Sequence, residues 1–148
     1  MRVMAVGVFD LLHAGHLHYL EQARLLGDEL VVVIAHDDTV RKRKHEPVTT
    51  QEMRRRMVAG LKPVNEAYIG SPPNHSMFEI VDRLKPDVIA IGYDQEHMEE
   101  WIREKLEELD MSHIDVVRVE GLEGDLDGTR KIISKILSSR TSEIREGD

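Results

Sequence analysis

His13 and His16 stand three residues apart, with Gly15 between them, at the end of the run Gly7-Val8-Phe9-Asp10-Leu11-Leu12-His13-Ala14-Gly15-His16. In the first turn of a helix that spacing lets both imidazoles face one point. Each ring can donate a hydrogen bond from a nitrogen. The start of a helix adds unpaired backbone N–H groups and partial positive charge, and Gly15 allows a ligand to approach the backbone closely. Together these features suit the phosphate chain of a nucleoside triphosphate. The same residues admit plainer readings. A His-x-x-His pair can bind zinc, with Asp10 the nearest third ligand. The histidines could be surface residues at a turn, and Asp10 could be a simple N-cap.

A second cluster, Arg41-Lys42-Arg43-Lys44, is a dense cationic run in an acidic chain. It reads as a solvated surface, as a patch for nucleic acid, or as a loop folding over the phosphate site. Arg54 follows on the next helix, where Arg55 and Arg56 read as surface charges and Glu52 can pair with Arg56 at i,i+4. Gly128-Thr129 reads as another helix start aimed at an anion, with capping alone as the alternative for Thr129.

The elements that must position these groups alternate along the chain. Strands are expected over residues 3–8, 31–35, 66–69, 88–92 and 114–119, from short apolar runs rich in β-branched residues. Helices are expected over 15–26, 51–61, 76–84, 96–109 and 129–137, from three-to-four apolar spacing. Thr50 is placed to cap the second of these helices, and residues 37–47 read as a polar basic loop. This β-α rhythm implies an α/β, Rossmann-like, doubly wound five-stranded parallel sheet in a single domain over residues 1–137, with a polar tail at 138–148. Such sheets bind ligands at the carboxyl ends of their strands, at the topological switch point.

Composition narrows the classes further. The 148 residues are 41% apolar and 32% charged, as expected of one globular domain. Twenty Lys and Arg against 28 Asp and Glu give a net charge of −8, which argues against nucleic acid held by the overall field. Cysteine is absent, so disulfides, Cys-based zinc sites and thiol nucleophiles are excluded. No charged leader precedes a long apolar run, and the apolar run at residues 30–35 is far too short to span a membrane. A cytoplasmic protein is expected. The wealth of charge would also suit a thermophile.

The run from Gly7 to His16 resembles the H-x-G-H signature of the nucleotidyltransferase superfamily, in the form G-x-F-D-x-x-H-x-G-H of its cytidylyltransferase-like branch. Further stretches are similar to the same branch: Glu52-x-Arg54, Gly92-Tyr93-Asp94-Gln95 after the fourth strand, and Arg118-Val119-Glu120-Gly121. Leu126-Asp127-Gly128-Thr129 departs from it, keeping the final threonine while Asp127 and Gly128 replace the usual hydroxyl residues. The resemblance implies transfer of a nucleoside monophosphate from a triphosphate to a phosphate acceptor, with release of pyrophosphate. It implies His13, His16, Lys44 (with Lys42 second) and Arg54 as the catalytic and phosphate-clamping groups. It implies Val8, Phe9, Asp10, Ala14, Gly15, Asp94, Arg118, Gly121 and Thr129 as nucleotide contacts. Asp10 is also placed to orient the acceptor or a Mg²⁺ ion, which arrives with the triphosphate.

Within the branch, chain length and the Gly92-Tyr93-Asp94-Gln95 stretch are most similar to archaeal FAD synthetases, which imply ATP and FMN as substrates. Glycerol-3-phosphate cytidylyltransferases, using CTP, are the second resemblance. A homodimer is implied, and neither nucleic acid nor membrane is expected as a partner. A non-catalytic nucleotide-binding module and a zinc protein are the readings from other classes.

Overall fold

The computed structural model describes residues 1–93, 95–121 and 131–139. Its elements are β1 (Arg2–Gly7), α1 (Ala14–Arg24), β2 (Glu29–Ile34), α2 (Asp37–Arg43), α3 (Gln51–Ala59), β3 (Glu66–Ile69), α4 (Phe78–Leu84), β4 (Val88–Ile91), α5 (Glu96–Glu108) and β5 (Asp115–Arg118). The strands form one five-stranded sheet in the order β3-β2-β1-β4-β5, and every pairing is parallel. The doubly wound α/β fold expected from the alternation is therefore present, and its direction reverses between β1 and β4.

Alternation within the strands feeds two cores. Val3, Ala5, Leu30, Val32, Ile34, Val88 and Ala90 pack with Leu20 and Ala23 of α1 and Val58 of α3. Met4, Val31, Val33, Ile89 and Ile91 pack on the other face with Phe78, Ile80, Val81 and Leu84 of α4 and Ile102 and Leu106 of α5. Both faces of the central strands are covered, which is why they read as continuous apolar runs.

Three expectations are corrected. Residues 37–47 are not all loop, because Asp37–Arg43 forms α2, capped by the His36 ring, whose Nδ1 accepts from the Asp38 N–H at 3.1 Å. Val40 is this helix's one buried residue, so no apolar stripe announces it. Glu52 pairs with Arg55 at 2.6 Å rather than with Arg56. Residues 131–139 are helical, so the last helix continues past residue 137 into the expected tail, whose residues 140–148 lie outside the described set. Thr50 caps α3 as expected, its Oγ1 accepting from the Met53 N–H at 3.2 Å.

The switch point is held open by a side chain. β1 and β4 stay in register through Ala5 and Ala90. Beyond that pair the Tyr19 hydroxyl, reaching up from α1, accepts from the Val6 N–H at 3.3 Å and donates to the Ala90 carbonyl at 2.5 Å. Burial pushes this phenol far above its ordinary range, so it remains a donor at any working pH. Tyr19→Phe keeps the ring but leaves both backbone groups without the bridge. The expected loss is about 1–3 kcal/mol of folding stability, measured by urea denaturation; an unchanged midpoint would show that the bridge contributes nothing.

Candidate active site at the β1–α1 junction

The loop leaving β1 is tightly folded. Phe9 and Leu11 both take left-handed backbone conformations, at φ 57° and 51°, which cost non-glycine residues of order 1–2 kcal/mol each. The fold imposes them because Phe9 turns back onto the end of its own strand. A Cβ at Gly7 would stand 2.8 Å from Cε2 of the Phe9 ring, so only glycine leaves room for that ring. Phe9 is 3% exposed and meets His16 edge-on, with ring centroids 5.3 Å apart. Phe9, expected among the nucleotide contacts, directs its side chain into the core and props the second histidine.

The two histidines cap α1 reciprocally. Nδ1 of His13 accepts from the Gly15 N–H at 3.0 Å, and Nδ1 of His16 accepts from the His13 N–H at 3.3 Å. Imidazole here replaces the usual hydroxyl or carboxylate cap. Because each Nδ1 is an acceptor, the proton of each neutral ring sits on Nε2. The rings stack at the N-terminus of α1, with centroids 3.7 Å apart. Burial, reinforced by the adjacent His13 and by the charge of Lys44 and opposed by Asp10, pushes His16 down to about 4. His16 is thus a neutral hydrogen-bond donor near pH 7, not a reservoir of protons.

Asp10 is 3% exposed. Its carboxylate accepts from the Val48 N–H at 2.7 Å, the Thr49 N–H at 3.0 Å and the Thr49 hydroxyl at 2.6 Å. Burial pushes its pKa up, but the hydrogen bonds of Thr49 and Val48 and the Arg54 charge together hold it below the usual value. The carboxylate therefore clasps the segment before α3. Nor do these residues form a zinc cage: both Nδ1 atoms face backbone donors, and among the described residues no group of three or more His, Cys, Asp or Glu could hold a metal ion.

Arg54 was expected to clamp phosphate. It lies 1% exposed beneath the site. Its Nη1 donates to the carbonyls of Val8 at 2.8 Å and Ala35 at 3.0 Å, and its Nε donates to the Thr49 carbonyl at 3.2 Å. Nη2 is paired with the Asp37 carboxylate. Lys44 and Lys42 are exposed at the end of α2, and the Lys44 charge reaches His16. Ala14 is exposed and Gly15 half-buried at the helix start, while Val8 presents its carbonyl to Arg54.

Across the switch point, Arg118 is drawn toward Glu96 and Glu99 of α5, at 3.6 and 3.7 Å. A Cβ at Gly121 would stand 2.5 Å from Cδ1 of Tyr93, so that ring packs directly on the Gly121 backbone. Asp94, Asp127, Gly128 and Thr129 lie outside the described residues. Sequence reasoning missed the Tyr19 bridge between β1 and β4, the packing of the Phe9 ring on His16, and the Thr49 contact with Asp10. Thr49, adjoining the Thr50 cap, was the available signal for a second hydroxyl contact.

The family profile described as cytidylyltransferase-like matches residues 4–147. The chain belongs to the cytidylyltransferase-like family. Among relatives of this cytidylyltransferase-like chain, the FAD synthase of Methanobrevibacter ruminantium is 50% identical over 143 residues, covering 94% of this chain and 93% of its own. The FAD synthase of Aciduliprofundum boonei is 47% identical over 138 residues, covering 93% and 91%. A solved structure described as the lipopolysaccharide core biosynthesis protein of Thermoplasma volcanium is 40% identical, with a TM-score of 0.77 over 83% of this chain and 98% of that one. Pantothenate synthetase of Thermus thermophilus, at 16% identity and TM-score 0.61 over 82% of this chain and 56% of its own, shares the fold. No described helix is long and apolar enough to cross a membrane.

The histidine pair of this cytidylyltransferase-like site yields a direct expectation. In the absence of nucleotide, NMR titration should find His16 protonating near pH 4, and adding a triphosphate should raise that value. The folded pKa lies below the ordinary 6.5, so between these values the unfolded chain binds more protons. This group therefore opposes folding fully below about pH 4, and stability recovers as the pH rises toward 6.5. A His16 ring titrating near 6.5 in the free protein would contradict its burial.

Proposed function

We propose that this protein is an FMN adenylyltransferase, forming FAD and pyrophosphate from ATP and FMN. The carrying observation is the stacked, reciprocally capped pair His13 and His16 at the α1 N-terminus, in a chain 50% identical to a protein named FAD synthase. A phosphate oxygen of FMN attacks the α-phosphorus and forms a new P–O bond. The bond from that phosphorus to the bridging oxygen breaks, and pyrophosphate leaves with the electron pair. The acceptor is already anionic, so no covalent enzyme intermediate and no dedicated base are required.

Catalysis then rests on alignment and on charge neutralisation. The Nε2–H groups of His13 and His16 and the first N–H groups of α1 receive the triphosphate. Lys44 adds charge from above. The neutral state of His16 keeps it a donor throughout, and its pKa rises as negative charge accumulates on the phosphates. Mg²⁺ is part of the substrate here: it rides on the triphosphate with several waters and needs no carboxylate cage. Asp94, Gly121 and Thr129 are proposed nucleotide contacts. The reading includes a homodimer acting in the cytoplasm.

A sugar-phosphate or glycerol-phosphate acceptor is the second reading, supported by the similarity to the Thermoplasma structure. Pyrophosphate release with Mg²⁺, crossing ATP and CTP against FMN and glycerol 3-phosphate, separates the two. Product from ATP with FMN alone is expected, and His16→Ala should lower that rate by about a hundredfold or more, as loss of a transition-state donor does. Product from CTP with glycerol 3-phosphate alone would replace the flavin reading.

A further inference from the structure

Arg54 touches both ends of one chain segment. Residues 37–49 follow β2, form α2, carry the exposed Lys42 and Lys44, the latter with a charge that reaches His16, and return to α3. At the first end, Arg54 pairs with the Asp37 carboxylate, and the Asp37 N–H donates to Oε1 of Gln51 at 2.7 Å. At the second, Nε of Arg54 donates to the Thr49 carbonyl at 3.2 Å, while Asp10 receives Val48 and Thr49. The remaining Arg54 donors fasten this closure to the carbonyls that end β1 and β2. Between its pins Val40 is buried and residues 41–46 are exposed, and Arg41 stiffens the segment through Asp38 at 2.8 Å and Glu46 at 2.9 Å.

We propose that Arg54, together with the Asp10–Thr49 clasp, positions Lys44: the guanidinium closes the segment between α2 and α3 into a strap that holds the lysine over the histidine pair. Arg54 is thereby a positioning residue and touches no substrate. This assignment rests on Lys44 acting on phosphate in the reaction proposed above. The strap's closure uses the planar fork of arginine. A lysine ammonium keeps the charge but cannot reach acceptors on four segments at once.

The test reads the place of Lys44 without any substrate. The groups facing His16 are His13, Asp10, Lys44 and the Phe9 ring, and Arg54 is not among them. Lys44→Met should raise the pKa of His16 by removing a nearby cation. Arg54→Lys should raise it in the same direction by letting Lys44 drift, and the double variant should shift it no further than Lys44→Met alone. Thr49→Val, which removes one hydrogen bond of the clasp, should give a smaller shift of the same sign and serves if Arg54→Lys does not fold.

In turnover of ATP with FMN, Arg54→Lys should lower kcat by about tenfold or more, as misplacement of an aligned group does, and adding Lys44→Met should cost little further. A folded Arg54→Lys or Thr49→Val protein with unshifted His16 titration, or fully additive shifts in the double variant, would overturn the proposal and leave Arg54 a purely structural residue. If the wild-type protein makes no FAD, the flavin reading fails, while the titration still decides the positioning role.

Discussion

A guanidinium buried to 1% exposure must be met by acceptors on every side. An unmatched charge inside a protein costs several kcal/mol even after relaxation. Arg54 is met by three backbone carbonyls and one carboxylate, drawn from the ends of β1 and β2 and from the starts of α2 and α3. None of those segments can shift without exposing the charge to a missing partner. The carboxyl end of the sheet, where ligands of such folds bind, is therefore built around a buried arginine bonded to four chain segments. Asp10 repeats the logic one layer higher, turning a buried carboxylate into the anchor for the segment before α3.

The same principle governs the β1–α1 junction. A helix start has N–H groups that need acceptors, and a sharp loop has backbone groups that secondary structure cannot pair. His13 and His16 meet these needs with one nitrogen each, which fixes the tautomer and turns the other nitrogen into the donor. Gly7 and Phe9 act as a pair, because the missing side chain of one makes space for the ring of the other. Tyr19 completes the arrangement from α1 by bridging the strands where their ladder ends. A signature that reads as a list of ligand contacts is thus in good part a set of mutual supports.

The strands and helices α1, α3, α4 and α5 were legible because their apolar residues follow the two periods that burial imposes. β3 at residues 66–69 coincides with its expected bounds, and most other limits differ by one or two residues. α2 was hidden because it packs a single residue, Val40, and its charges look like a loop. The histidine pair was legible from residue type and spacing. The placement of Arg54 was not, since a charged residue in a polar helix reads as exposed until tertiary structure supplies four acceptors around it. Nor does a sequence show which hydroxyl of Thr49-Thr50 caps the helix and which meets a carboxylate 39 residues away in another loop; that choice is made by where Asp10 lies.

The charge state of the site follows from these supports. Two stacked imidazoles at 3.7 Å cannot both carry a proton at low cost, and the Lys44 charge makes protonation of His16 harder still. Burial first, then the neighbouring His13 and, least, Lys44 hold His16 neutral, which would be a poor design for moving protons. It suits a reaction whose nucleophile is already ionised and whose leaving group departs as an anion, because donors that need no proton transfer are ready before charge develops. An arriving polyanion reverses the local balance, drawing the donors and the strap's lysine toward the same phosphates. The neutral His16 and the exposed lysine are complementary for this reason: the first donates without carrying charge, and the second supplies the charge from a segment that the buried arginine keeps in place.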